Sequence, residues 1–131
     1  MSVVFNDFLI SAEVLLSNPN STEIDFRNLI SRSYYALFHL SKEKASTLNL
    51  PVPVKNEEYK ELGSHEKVFI KFQKHTNSDF RLLGQQMKRH KLARVKADYY
   101  INEHIVKTEA RNHFLAVKDL IQKLEQLKEN L

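Results

Sequence analysis

Cysteine and tryptophan are absent from this chain, and only two glycines and three prolines interrupt its 131 residues. Without cysteine there is no disulfide framework, thiol nucleophile or thiolate metal site, and the absence suits a reducing compartment. So little glycine and proline argues against sheet-rich folds, which need many tight turns, and leaves long helices as the natural alternative. No Gly-rich phosphate loop, Walker-type lysine or G-x-S-x-G elbow occurs, which disfavours ATPase and hydrolase chemistry. Nor is any apolar run long enough to span a bilayer, and the first residues lack a basic region leading into an apolar core. A cytoplasmic protein is therefore expected.

What is present is the composition of an ordinary globular protein, with 42% apolar and 27% charged residues. The length predicts a single domain over 1–131, with one core that needs no metal or disulfide. The formal charge is +4, but the excess is local. Residues 81–97 hold Arg81, Lys88, Arg89, Lys91, Arg94 and Lys96 with no acid, which leaves the remainder at −2. A basic strip on a slightly acidic body suits a polyanionic partner. A solvated helix face whose lysines cover apolar surface would read the same way.

Apolar spacing predicts an all-α, up-and-down antiparallel bundle of four to five helices. The first runs from Val3 to Leu16 and ends at Ser17-Asn18-Pro19-Asn20. The second opens near Ser21 to Glu23 and continues to Leu48. Leu50 to Gly63 holds Pro51, Pro53 and Asn56 without a clean period and reads as a loop. A third, short helix opens at Gly63-Ser64-His65 and carries Val68, Phe69 and Phe72 inward. The fourth is expected from Phe80 to His104, and the fifth from a cap at Thr108 to the end, with Ala110, Phe114, Val117, Ile121, Leu124 and Leu131 on its inner face.

The second helix carries the chemistry. At 100° per residue, Phe26, Ile30, Tyr34, Leu37 and Leu48 share the side that faces the core. Asn28, Arg32, Tyr35 and His39 follow at spacings of four, three and four, so an amide, a guanidinium, a phenol and an imidazole line the opposite side. Arg32 and His39 lie two turns apart, about 10 Å along the axis. A guanidinium neutralises phosphate oxygens and an imidazole exchanges protons near neutral pH, so the pair suits phosphodiester chemistry. An Arg and a His on a solvated helix face would show the same spacing.

On the fourth helix, Leu83, Met87, Ala97, Ile101 and Ile105 project to one buried face, and His90, Arg94 and Asp98 fall on the same arc. Arg94 and Asp98, at i and i+4, are placed to form an ion pair. Such a pair either fixes packing or serves the stripe on the second helix: Asp98 by orienting Arg32 or His39, Arg94 by adding phosphate-binding charge. His90 reads as a packed or partly exposed histidine, and Tyr99 and Tyr100 as packing residues. His75, His104 and His113 show no metal-ligand spacing, so neither a metal nor another cofactor is expected.

The segment Ser31-Arg32-Ser33-Tyr34-Tyr35-Ala36-Leu37-Phe38-His39 resembles the helix signature of the HEPN (higher eukaryotes and prokaryotes nucleotide-binding) superfamily. Ser64-His65, Leu83-Gly84 and Arg94-Val95-Lys96-Ala97-Asp98-Tyr99 resemble further elements of its small stand-alone prokaryotic members, in the same order. The resemblance implies a homodimeric helical bundle and, in many members, a metal-independent endoribonuclease with an R-x(4 to 6)-H motif, which Arg32 and His39 fit at its longest spacing. It also implies a partner class, since some relatives are toxins held by a minimal nucleotidyltransferase antitoxin. Arg32 and His39 are thus the expected catalytic residues, with Asn28, Tyr35, Arg94 and Asp98 binding or supporting and RNA or a nucleotide as ligand. Other relatives are non-catalytic modules that bind a nucleotide or a partner protein, and this is the alternative expectation.

Overall fold

The computed structural model describes residues 3–128. Among them the chain forms α1 (Phe5–Ser17), α2 (Glu23–Thr47), α3 (Asn56–Glu61), α4 (Ser64–Gln73), α5 (Ser78–Tyr99) and α6 (Lys107–Glu125), with no strand. The expected all-α bundle is therefore the observed one. No helix among the described residues is long and apolar enough to cross a membrane.

Helix α2 is the axis of the fold and packs against α1, α4, α5 and α6. It starts where Asp25 accepts the Thr22 N–H at 2.9 Å, satisfying a donor that the helix leaves open. It stops at a left-handed Asn49 (φ 50°), with Leu50 N–H donating to Ala45 O and Asn49 N–H to Ser46 O. Those two bonds make a Schellman motif, with asparagine where glycine is more usual. Leu29, Ile30, Tyr34 and Leu37 of α2 meet Phe69 and Phe72 of α4, Met87 of α5, and Phe114, Val117 and Leu124 of α6 in one buried cluster. Ser33 and Ser41 are also buried, each hydroxyl donating back to the carbonyl four residues earlier at 2.7 Å. Phe26 packs only partly buried at the edge of this core, as does Leu48.

Three boundaries differ from expectation. The loop from Leu50 to Gly63 contains α3, which buries none of its residues and so has no apolar period to betray it. Helix α5 stops at Tyr99 rather than His104. The cause is Arg27 on α2, buried to 6% exposure. Its guanidinium donates to Ala97 O at 2.9 Å, to Tyr100 O at 3.2 Å and to Glu103 O, taking up carbonyls at the end of the helix. Glu23 completes the anchor by accepting the Ile105 N–H at 3.1 Å, and that bond holds its carboxyl below the usual carboxylate range. Past this point the helical period has ended, so Ile101 is 76% exposed instead of buried and Tyr100 faces solvent instead of packing, as does Tyr99, the last residue of the helix. Ile105 stays buried, as expected, but from the connection and not from the helix. Finally, α6 starts at Lys107 with Val106 at its cap position, two residues ahead of the expected Thr108 cap. Its inner face is Ala110, Phe114, Val117, Ile121 and Leu124; Leu131 lies outside the described residues.

Candidate functional site

The polar stripe of α2 meets α1. Arg32 donates to Ser11 Oγ at 2.7 Å and lines a surface cavity of about 340 Å³ with Val3, Asp7, Phe8 and Ser11. Phe8 borders that cavity and also stacks on His39, with ring centres 5.2 Å apart. Tyr35 stands beside both, its ring centre 6.2 Å from those of Phe8 and His39. Arg32 and His39 are therefore brought to the same edge of α1, with an aromatic floor joining them. Asn28 is exposed one turn before Arg32. His39 is exposed, and partial desolvation, aided by the Lys42 charge, holds its imidazole below the ordinary histidine range. It is consequently neutral and able to accept a proton at pH 7.

Tyr35 also borders a second group of side chains. His65, at the start of α4, stacks on Phe38 at 4.0 Å and meets the edge of Tyr35 at 6.2 Å. Its Nδ1 is hydrogen-bonded to the hydroxyl of Tyr34, a fully buried residue. Burial pushes the Tyr34 phenol upward, so it remains protonated. Desolvation lowers the His65 imidazole, and the Arg94 and Lys91 charges lower it further. Arg94 lies over both rings, 5.4 Å from the centre of Tyr34 and 5.6 Å from that of Tyr35.

Arg94 and Asp98 pair at 3.4 Å as their spacing implies. Asp98 takes the Ser31 hydroxyl at 3.4 Å as its other partner, not Arg32 or His39, so its role is to hold Arg94. The Nε of Arg94 is buried without a hydrogen bond. The basic strip is largely engaged: Arg81 donates to His75 O and Thr76 O, Lys91 pairs with Glu66, and Lys96 pairs with Glu109 at 3.2 Å. Lys88 and Arg89 remain exposed.

Two further histidines gather elsewhere. His90 and His113 face each other in a cleft between α5 and α6, with their Nδ1 atoms 3.2 Å apart. Among the described residues no three His, Asp or Glu side chains are gathered as a metal site.

Sequence spacing located Arg32, Tyr35, His39 and the Arg94 to Asp98 pair, but it missed Phe8 and Tyr34 as neighbours of the stripe, and it left a role for His65 open only through the resemblance of Ser64-His65. Phe8 and Tyr34 read as ordinary core positions, and nothing in the spacing of His65 signals contact with a residue 31 positions earlier. No family model, curated protein or solved structure matches this chain. What the fold and the site define is a class: an all-α bundle whose central helix presents arginine, tyrosine and histidine along one solvent-reaching edge.

Proposed function

We propose that this protein binds RNA along the Arg32, Tyr35 and His39 edge and cleaves its backbone without a metal. The observation that carries the reading is the placement of Arg32 and His39 on one edge of α1, joined by Phe8 and Tyr35. In this reading the Arg32 guanidinium binds the scissile phosphate and offsets the charge that builds on it. Neutral His39 takes the proton of the 2′-hydroxyl, whose oxygen attacks phosphorus. The bond to the 5′-oxygen breaks, leaving a 2′,3′-cyclic phosphate and a 5′-hydroxyl once that oxygen gains a proton. Tyr35 and Phe8 offer rings on which a base can stack, and Asn28 offers an amide to the backbone. A second copy across a two-fold axis brings another Arg32 and His39 to the same phosphate, in line with the HEPN resemblance and with a toxin or defence effector.

The test is incubation of purified protein with mixed RNAs in EDTA. Wild type is expected to release cyclic-phosphate ends, and His39→Ala to lose about 10²- to 10⁴-fold in rate with an unchanged melting temperature. Equal cleavage by the variant, or none by wild type, rejects the nuclease.

The bond from Arg32 to Ser11 favours a second reading, because it ties the guanidinium to α1. In that reading the same edge binds a nucleotide or a nucleotidyltransferase partner without turnover, and saturable binding without cleavage is the outcome that selects it.

A further inference from the structure

The edge described above supplies one guanidinium and one imidazole, and the reading left the remaining phosphate contacts to a second copy of the chain. A second imidazole of the same chain borders the same rings. His39 and His65 flank Phe38, with ring centres 5.4 and 4.0 Å from it, and both lie 6.2 Å from Tyr35.

His65 is also held in one chemical form. Tyr34 is fully buried and its hydroxyl has no other hydrogen-bond partner among the described residues, so its proton is satisfied by donation to Nδ1, which leaves the ring proton on Nε2. Nε2 is not among the buried unpartnered atoms, so it reaches solvent. Stacking on Phe38, packing against the edge of Phe69 and the stack on Tyr34 fix the ring plane. Behind it, Arg94 spreads over Tyr34 and Tyr35, and Lys91 is held by Glu66. An imidazole so placed presents a fixed, uncharged N–H beside two ion pairs, Arg94 with Asp98 and Lys91 with Glu66. A phosphate oxygen suits it, since it accepts the N–H.

We propose that His65, its tautomer fixed by Tyr34, is a second phosphate-contacting residue of this site, donating from Nε2–H to an oxygen of the phosphate that Arg32 and His39 bind. The inference rests on reading that edge as a phosphate site. It makes the donor set more complete within one chain, with Tyr34 as the positioning residue.

The experiment is a titration of full-length protein, carrying ¹⁵N-labelled histidine, with uridine 3′-monophosphate, followed by NMR. Before ligand, His65 is expected as the pure Nε2–H tautomer. On titration the His39 and His65 resonances move together, with one dissociation constant. Tyr34→Phe keeps the ring but removes the donor, so it is expected to mix the two His65 tautomers and weaken binding roughly tenfold, about the loss of one hydrogen bond to a charged group. His65→Gln, which retains an N–H donor, is expected to bind better than His65→Leu. A shift at His39 alone, or an unchanged tautomer and affinity in Tyr34→Phe, overturns the role of His65 while sparing the reading of the edge. No shift at either histidine overturns both.

Discussion

The side of α2 that faces α5 and α6 and the side that faces α1 and α4 handle polar groups in opposite ways. Toward α5 and α6, Arg27 is buried against the carbonyls that end α5, and His90 and His113 are packed against each other. Burial pushes His90 down to about 4 and His113 down to about 3. Nε2 of His113 is buried without a hydrogen bond of normal geometry, although the Ile30 carbonyl favours an N–H there. Toward α1 and α4, Arg32 has a serine for a partner and a cavity beside it, while His39 is exposed and Nε2 of His65 reaches solvent. Two arginines five residues apart on one helix thus have different tasks. A charge enclosed by carbonyls holds helices together, and a charge with coordination to spare can meet a ligand.

The sharpest way to break this contrast is to delete each arginine in turn. Arg27→Ala leaves several carbonyls at the end of α5 without a donor and is expected to cost about 3–5 kcal/mol of stability. Arg32→Ala loses one bond to a serine and is expected to cost less than about 1 kcal/mol while abolishing ligand binding. Urea denaturation of both variants decides the matter, and equal losses would mean that the two sides of α2 do not differ.

Acid separates the two sides by a smaller effect. Unfolded imidazoles take up protons near pH 6.5, whereas folded His90 and His113 stay neutral until about 4 and about 3. The unfolded state therefore binds more protons through that window, and stability falls as pH drops below 6.5, reaching its full loss below about 3. Between pH 7 and 5 the decline is expected to be on the order of a few kcal/mol. It should shrink in a His90→Gln variant, in which one of the two titrating rings is gone. A denaturation midpoint independent of pH between 7 and 5 would count against a sealed pair.

The smallest effect concerns the spacing that puts His65 beside Arg94. A Cβ added at Gly84 of α5 would lie 2.5 Å from the backbone nitrogen of Gln73, at the end of α4. Gly84→Ala is therefore expected to push α4 and α5 apart and to cost roughly 1–3 kcal/mol. Because α4 carries His65, probe affinity should fall with stability in this variant. A melting curve that matches wild type would show that the two helices can separate without strain.

Local spacing went far here. The Arg94 to Asp98 pair, the long α2 and its ending near Leu48 follow from residues within a turn or two of each other, where helical geometry alone decides the neighbours. So does the common face of Arg32, Tyr35 and His39. The misses at the end of α5 come from distant partners. The early end of α5 depends on Arg27, some 70 positions away, and the exposure of Ile101 follows from it. Helix α3 is invisible because it buries nothing.

By itself, then, the amino-acid order determined the long helices, the inward faces of α2 and α6, and that an arginine and a histidine share a line on α2. Only tertiary packing decided that Phe8 would join them into one edge, that Tyr34 would reach His65, and that His90 and His113 would be enclosed with each other. Helical periodicity is a short-range rule that repeats every 3.6 residues. Which helix faces which is settled by how the whole apolar core closes, and no single segment contains that information.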